Sequence, residues 1–284
     1  MKELPAHPFE RCGAAAVSDL QSTDCKDLFA KFERAQKLFV AREREFRSPD
    51  YPWPLDPLHT WSRIWEYPYA YHHLRKWMGQ RNPNEPACAV DVGSGVTFFP
   101  FEVARLGFHV ICTDVAPVCE RDMMKAIPLF NVAPGRVEYR AITEERLPLR
   151  DGEADIVFCI SVIEHIPDFE NTVREMHRIL KPGGQLILTI DMAWDSGFEI
   201  QPVEYMRLRG MLDRWFQLCF EETTIHPADL LRSDIGPYRE RGVTGWRLPW
   251  FLVKQRVIKP LFGRVPRPHV QRLSVWAGVL RKAD

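Results

Sequence analysis

Strand-end acids, two glycines and one histidine in this sequence have the chemistry and spacing of a ligand site. Asp91 ends an apolar, strand-like run, and glycines follow it at alternate positions, Gly93 and Gly95. Asp114, 23 residues after Asp91, ends a second strand-like run. A carboxylate at that place suits adjacent hydroxyl groups, such as those of a ribose, because it accepts two hydrogen bonds. His165 is a candidate base, since imidazole ordinarily titrates near neutrality.

The residues around the first acid predict a strand, a tight turn and a helix. An apolar run precedes Asp91, and helical periodicity begins after Thr97. Glycine in the turn lets a ligand approach the backbone, and the start of the next helix presents unpaired N–H groups. A dinucleotide fingerprint would need a third glycine where this chain has Phe98. The missing glycine therefore argues against the interpretation as an NAD(P)-dependent oxidoreductase, which is kept as a less favoured alternative.

Length and composition favour one large α/β domain with additions. The chain has 284 residues, of which 45% are apolar, enough for a sizeable core. Lys plus Arg equals Asp plus Glu at 38 each, so no overall charge attracts the protein to nucleic acid or membrane. The seven cysteines include no C-x-x-C pair, and the sequence has no leader-like start and no apolar run near 18 residues. A cytoplasmic location is expected.

Several motifs together resemble the class I S-adenosylmethionine-dependent methyltransferases. Residues 91–95, DVGSG, resemble motif I of that family. Residues 147–149 (LPL), the strand at 155–160 and the Glu-His pair at 164–165 resemble its small-molecule branch, the type 11 methyltransferases. The KPGG turn at 181–184 after a helix is also typical of the family. The sequence is identified on these motifs as similar to that branch.

The resemblance covers residues 85–191 and, more loosely, a strand at 271–280. It implies a doubly wound, Rossmann-like sheet that is mainly parallel with an antiparallel last strand, plus an N-terminal helical region and an insertion before the last strands. The predicted division is a helical and aromatic extension at 1–84, which could act as a lid, and a methyltransferase domain at 85–284. Residues 192–270 within that domain are the expected substrate-recognition insertion.

The resemblance also implies S-adenosyl-L-methionine as the cofactor. In the family the glycine turn approaches the amino acid end of the cofactor, and the strand-end acid helps to hold its ammonium group. This chain has Thr143 where the family often has an aspartate for the adenine amino group, so that contact is expected from the backbone around Ile142 or from Glu144. The implied cofactor-binding residues are Asp91, Gly93, Ser94, Gly95, Asp114, Val115, Ile142, Thr143 and Ser161.

His165 and its neighbour Glu164 are the predicted catalytic residues. Methyl transfer to oxygen or nitrogen requires removal of a proton, and His165 follows the fourth strand at the expected cleft. The structural alternative is that both residues brace the next helix. Some relatives, including ubiquinone-pathway O-methyltransferases and small-RNA end methyltransferases, bind a divalent metal with an E-x-x-E-H array. Ser161 replaces the first acid here, so no metal is predicted.

The N-terminal region contains two predicted helices. One spans roughly 24–46, and the other lies at 60–78, is rich in aromatics and is broken or kinked near Pro68. The second is interpreted as an amphipathic cover on a sheet edge, with a lid over cofactor and substrate as the alternative. The other predicted elements are strands at 108–113, 137–142, 185–190 and near 243–246, and helices starting at Asp168 and at 203–220.

The expected substrate is a small-molecule or glycolipid-like acceptor methylated on oxygen or nitrogen, less readily on carbon. Nucleic acid is disfavoured, since the sequence has no N-P-P-Y, D-P-P-Y or Pro-Cys motif. Residues 241–283 contain ten Lys or Arg, no acid and several aromatics, which suits contact with an anionic membrane or phosphorylated substrate. A solvated surface is the alternative for that segment. A non-catalytic cofactor-binding or scaffold protein is the alternative for the whole chain.

Overall fold

The protein is built on one mixed β-sheet. The computed structural model describes residues 7–130, 133–143, 146–193, 202–235, 238–239, 247–258, 261 and 272–283. Within these residues the strands are β1 (Cys12–Ala14), β2 (Cys88–Val92), β3 (His109–Thr113), β4 (Arg136–Tyr139), β5 (Ala154–Ile160), β6 (Leu180–Ala193), β7 (Phe216–Leu218), β8 (Glu222–Thr223) and β9 (Leu273–Lys282). Their order is β4-β3-β2-β5-β6-β9-β1-β8, and β7 also pairs with β9.

The centre of the sheet is parallel, and its last long strand is antiparallel. β2 pairs in parallel with β3 and β5, and β5 pairs in parallel with β6. β9 runs antiparallel to β6 from Gln185 opposite Arg281 to Ala193 opposite Leu273. These directions confirm the predicted doubly wound sheet. Because the parallel strands end at the same edge, the turns that follow β2, β3 and β5 lie close together.

Helices cover both faces of the sheet. Their bounds are α1 (Thr23–Ala41), α2 (Glu43–Phe46), α3 (Arg63–Gln80), α4 (Phe99–Ala104), α5 (Pro117–Phe130), α6 (Phe169–Ile179), α7 (Pro202–Trp215) and α8 (Arg247–Val253). Alternate residues of each strand point to opposite faces. Ala89 packs in the apolar cluster under α1, α3, α4 and α5, and Val90 packs in the cluster under α6 and α7.

The N-terminal residues before β2 contribute a strand to the sheet and side chains to its apolar core. β1 lies between β9 and β8, with Gly13 opposite Ala277 on one side and Thr223 on the other. Phe32 of α1 and Trp65 of α3 belong to the same apolar cluster as the central strands. The sequence did not predict β1, because three residues are too few for an alternation pattern.

The aromatic helix differs from its prediction. Residues 64–74 are buried without interruption, so α3 is not amphipathic in its first half. It packs against β5 and β6 at the centre of the sheet and also reaches the segment before β1, where Tyr69 Oη donates to the carbonyl of Arg11 at 3.0 Å. The helix continues through Pro68, which lies about one turn after its start and removes a single backbone hydrogen bond there. Burial of aromatic rings on both sides stabilises the helix more than that lost bond destabilises it.

Three other predicted elements have different bounds. The helix predicted at 203–220 ends at Trp215, because Phe216 to Leu218 pair with β9 as β7 and satisfy backbone groups at the sheet edge. The strand predicted at 137–142 ends at Tyr139. The first long helix is interrupted at Arg42, between α1 and α2.

One other strand is longer than predicted, and one predicted strand is untested. β6 begins at Leu180, earlier than the predicted strand at 185–190, and its pairing with β5 shifts register between Ala154 and Ile156. The strand predicted near 243–246 lies outside the described residues. Among the residues that the structure describes, no helix combines the length and apolarity needed to cross a bilayer.

Candidate cofactor and acceptor site

The turn after β2 is tight, as the two glycines predict. Gly93 has φ 74° and Gly95 has φ 53°, both in the left-handed region that favours glycine. The amides of Gly93 and Ser94 donate to the carbonyl of Thr113 at 2.9 and 3.1 Å, which ties the turn to the end of β3. A Cβ on Gly93 would lie 2.5 Å from Val162 Cγ1. Glycine is therefore required there for conformation and for space.

Asp114 lies beside this turn and is fixed by backbone amides. Its Oδ2 accepts from Gly95 N at 3.1 Å, and its Oδ1 accepts from Ala116 N at 2.9 Å. A carboxylate has about four acceptor positions, so these bonds orient the group and leave capacity for two hydroxyls. The next residue, Val115, exposes 74% of its surface. An exposed valine beside an oriented acid provides an apolar surface for a flat ring next to a polar group for a sugar.

Asp91 is a buried acid at the end of β2. It is 6% exposed, and burial raises its pKa well above the usual range. The nearby Asp114 carboxylate raises the pKa further, whereas Arg63 lowers it. A cation placed next to Asp91 would favour its ionised form. Asp91 therefore suits a ligand ammonium group.

On the adenine side, the backbone is described only in part. The amide of Ile142 donates to the carbonyl of Asp114 at 3.2 Å, and Tyr139 Oη donates to the same carbonyl at 3.3 Å. Thr143 is exposed and forms a backbone bridge with Arg146. These contacts place residues 142 and 143 close to Asp114. Glu144, the other candidate for the adenine contact, lies outside the described residues.

A buried polar network lies at the carboxyl ends of β5 and β6. Glu66 of α3 has no exposed side-chain surface. Its Oε1 accepts hydrogen bonds from the hydroxyls of Ser161 at 2.6 Å and Thr189 at 2.5 Å. Arg63, one helical turn earlier, pairs with the other oxygen of Glu66 and donates to the carbonyl of Ile160 at 3.4 Å. The network thus joins α3 to the strand ends where an acceptor would bind.

Ser161 itself has an unusual backbone conformation. Its φ is 46°, in the left-handed region that residues with a Cβ rarely adopt. The amide of Ser161 donates to the carbonyl of Thr189 at 3.0 Å, and its hydroxyl donates to Glu66. Strained residues of this kind concentrate at functional sites, where the surrounding bonds hold them.

Glu164 and His165 occupy the short helical turn Ile163–His165, but in different environments. Glu164 is 6% exposed, and its Oε1 accepts from Asp191 N at 3.0 Å. Its Oε2 is buried and has no hydrogen-bond partner in the described part of the chain. Burial raises the pKa of Glu164 to about 8. His165 is exposed, so the structure places a buried acid against the end of β6 and an accessible imidazole next to that acid.

Sequence reasoning missed the contributions of the N-terminal region to this site. Arg63 and Glu66 lie three residues apart at the start of α3, followed by an aromatic-rich stretch with no other acid. Opposite charges at that spacing within an apolar helix are a signal of a buried pair, because isolated charges are not buried there. Arg47 and Tyr51 also contact the glycine turn, and no motif marks them. Among the described residues, no group of three His, Cys, Asp or Glu side chains has the arrangement of a metal site.

Comparison with known proteins defines the class of this fold. Its architecture is similar to a putative sarcosine dimethylglycine methyltransferase from Galdieria sulphuraria, with a TM-score of 0.50, 17% identity, and coverage of 76% of this chain and 85% of that one. The sheet, parallel at its centre with β9 antiparallel beside β6, has the Rossmann-like arrangement. Residues 90–188 match the methyltransferase domain family. Residues 90–188 therefore form a methyltransferase domain on a Rossmann-like fold.

Curated relatives match part of this chain. A ubiquinone biosynthesis O-methyltransferase from Pseudomonas paraeruginosa is 29% identical over 162 residues, which are 56% of this chain and 60% of the relative. One from Xanthomonas axonopodis pv. citri is 37% identical over 109 residues, which are 37% of this chain and 44% of the relative. The matched regions thus span less than two thirds of either relative.

Proposed function

We propose that the protein transfers a methyl group from S-adenosylmethionine to an oxygen or nitrogen of a small-molecule acceptor. The observation that carries this proposal is the pair of strand-end acids, Asp91 and Asp114, on either side of the glycine turn, with Asp114 bonded to Gly95 N at 3.1 Å. Two acids at the ends of adjacent parallel strands match a ligand that has an ammonium group at one end and a ribose in the middle.

The residues at the turn fit this cofactor. Asp91, a buried acid with a raised pKa, would hold the ammonium group, and Asp114 would accept the ribose hydroxyls. Val115, which is exposed, would pack on the adenine ring, and the backbone at Ile142 and Thr143 would contact its edge. When bound, S-adenosylmethionine supplies a methyl group on a positively charged sulfur, which a nucleophile displaces in line.

On the acceptor side, the protein aligns the nucleophile and removes its proton. His165 is exposed beside the strand ends and takes up the proton that an acceptor hydroxyl or amine loses. Glu164 offers a buried oxygen without a partner for a hydrogen bond to the acceptor. Because burial raises its pKa to about 8, Glu164 also changes protonation near physiological pH.

The acceptor's identity depends on the segment at 192–270, which follows β6 at the carboxyl edge of the sheet. Curated relatives are named ubiquinone biosynthesis O-methyltransferases, which favours a small hydroxylated acceptor over a nucleic acid. A lipid-linked acceptor is favoured by the ten Lys and Arg residues at 241–283 and by Trp250 among them, which is 64% exposed. We further propose that the extension at 1–84 contributes to the site through α3. A cytoplasmic location agrees with these assignments.

Two measurements test the proposed function. Calorimetric titration should show binding of S-adenosylmethionine and S-adenosylhomocysteine and no binding of NAD or NADP. Binding of a nicotinamide dinucleotide alone would overturn the assignment. Turnover with a panel of phenols, alcohols, amines and glycolipids, read as S-adenosylhomocysteine released, separates an enzyme from a scaffold that binds the cofactor without reaction.

A further inference from the structure

The chain connects β4 to β5 without a helix, and an open cavity lies beside this connection. A crossover between parallel strands usually contains a helix that packs on the sheet. In the described residues of 140–153 no helix forms. The cavity has a volume of 490 Å³, within the range of small-molecule sites. Its lining consists of three arginines, an acid and three apolar residues: Arg140, Arg146, Arg150, Glu153 and residues 147–149.

The charged side chains of this cavity offer more hydrogen-bond donors than acceptors. Glu153, the acid in the lining, has both oxygens engaged. Its Oε1 accepts from Arg140 Nη1 at 3.0 Å, and its Oε2 accepts from the amide of Arg150 at 2.9 Å. A guanidinium, by contrast, has several N–H donors and no acceptor. The lining therefore has an excess of positive charge and of donor groups.

Arg146 and Arg150 keep their guanidinium groups accessible to a ligand. Their side chains are 66% and 89% exposed. The ion pair of Arg146 with Asp151 spans 3.9 Å, beyond hydrogen-bond distance, and Asp151 already accepts from Arg178 at 2.7 Å. Arg150 Nε lies 3.4 Å from Glu153 Oε2, which is a long hydrogen bond. Exposed pairs of this kind contribute little stability, so both side chains can turn towards a ligand at low cost.

The other side of the cavity is held in place by hydrogen bonds. The Nε of Arg140 donates to Glu138 Oε1 at 2.7 Å, and its Nη1 donates to the carbonyl of Pro148 at 3.3 Å. Arg178 of α6 donates to the carbonyl of Leu149 at 2.8 Å and fixes the loop from beneath. One guanidinium and the loop backbone are thus positioned before a ligand binds, which reduces the conformational entropy lost on binding.

We propose that this cavity binds a phosphate group. Phosphate is an acceptor at its oxygens, and arginine matches it with paired N–H···O hydrogen bonds that a neutral ligand would not form. The apolar residues 147–149 lie beside the arginines and provide a contact for the organic part of a phosphate ester. The lining includes none of the residues proposed for the cofactor or the acceptor, so this site does not depend on the proposed function.

The test is calorimetric titration of the full chain with phenyl phosphate and with inorganic phosphate. The wild type should bind phenyl phosphate with an affinity that falls as salt is added. Changing Arg146 and Arg150 together to Gln should weaken that binding by about 10-fold or more. Both side chains are exposed, so the melting temperature of this variant should match the wild type. Tighter binding of phenyl phosphate than of inorganic phosphate supports an ester as the ligand, and equal binding supports the free ion.

A matched variant separates this cavity from general attraction to cations. Changing Lys254 and Arg256 together to Gln removes the same charge from another exposed position and should leave the affinity unchanged. Equal losses in the two double variants would overturn the site. An unchanged affinity after the Arg146 and Arg150 changes, or no binding of either ligand at about 10 mM, would overturn it as well. Titration with S-adenosylhomocysteine tests the proposed function separately, so either proposal can fail without the other.

Discussion

Glu66 Oε1 lies 2.6 Å from Ser161 Oγ, which places a carboxylate of α3 at the strand end where the E-x-x-E-H array has its first acid. The acid that the sequence lacks at position 161 is thus present in space, contributed by a helix almost 100 residues earlier. Its second oxygen pairs with Arg63. The Glu66 carboxylate therefore links the N-terminal region to the carboxyl ends of β5 and β6.

Glu66→Gln should strongly destabilise the protein. The substitution keeps the size of the side chain but leaves Arg63 without its charged partner, and breaking a buried pair of this kind costs about 3 kcal/mol. Urea denaturation at pH 7 measures the free energy of unfolding. Glu45→Gln, which removes an exposed partner of Arg42, is the matched control and should have no measurable effect. Equal stability of Glu66→Gln and the wild type would show that the pair contributes little.

Asp114→Ala should weaken binding of S-adenosylhomocysteine by roughly 10- to 100-fold. The change removes charge-assisted hydrogen bonds worth about 1.5 to 3 kcal/mol. Asp114→Asn keeps an acceptor oxygen and should lose less affinity than the alanine variant. Asp213→Ala removes an exposed carboxylate from α7 and serves as control. An unchanged dissociation constant in a folded Asp114→Ala protein would mean that another group holds the ribose.

His165→Ala should lower the rate of methyl transfer by about 100-fold or more with little effect on cofactor affinity. The imidazole is exposed, so its removal leaves no buried cavity, and the expected effect is loss of proton transfer. His226→Ala, at another exposed position, should leave the rate unchanged. A parallel fall in melting temperature and cofactor affinity, with the rate per folded molecule preserved, would support the bracing role.

Two buried histidines of α3 should make the protein sensitive to acid. Burial lowers the pKa of His72 to about 4 and that of His73 to about 3, from an ordinary value of 6.5. Neighbouring cations act in the same direction. His73 Nε2 bonds to the carbonyl of Phe9 at 2.8 Å, so this helix also holds the segment before β1. The charged groups around the pair are His7, Glu10, Arg75 and Lys76.

The direction of the pH effect follows from these pKa values. Below pH 6.5 the unfolded chain binds protons that the folded protein excludes, so the histidines reduce stability as pH falls from 6.5 towards 4. Each contributes up to about 1.4 kcal/mol per pH unit. Glu164, with its raised pKa, acts in the opposite direction over part of this range. The readout is therefore the difference between wild type and His73→Gln, whose stability should fall less steeply between pH 6.5 and 5 in urea denaturation.

The basic segment at 241–283 should associate weakly with vesicles that contain anionic lipid. Lys254 and Arg256 are exposed, and Trp250 is 64% exposed, so cations and an apolar anchor are accessible together. Changing Lys254, Arg256 and Lys259 to Gln should abolish cosedimentation, since each cation near an anionic surface contributes about 1 kcal/mol. High salt should do the same. Absence of binding at low salt would leave this segment as a solvated surface.

The parts of the fold that could be predicted are those with local signals. The strand, glycine turn and acid at 89–95 are encoded within seven residues, and the terminal strand alternates over Leu273, Val275, Ala277 and Val279, which all lie in one apolar cluster. By contrast, β7 was predicted as helix, because its helical periodicity continues from α7 and only the partner strand shows the true pairing. Sequence periodicity reports local burial and not the identity of the neighbour.

The polar network was missed for a related reason. The contacts of Glu66 with Ser161 and Thr189 join residues 95 and 123 positions apart, and no motif covers such separations. The two acids proposed to bind the cofactor, Asp91 and Asp114, were easier to predict, since each ends a strand that can be recognised by itself. The proposed acceptor side depends on contacts between distant segments, so the sequence predicts less of it.

The position of β1 has a consequence for how the chain folds during synthesis. Cys12 Sγ bonds to the carbonyl of Val279, 267 residues later, and Gly13 pairs with Ala277. On the ribosome, β1 leaves the exit tunnel long before β9 exists, so its place in the sheet cannot form until β9 has been synthesised. Such non-local pairing slows folding, and the exposed early strand is open to capture by chaperones in the meantime.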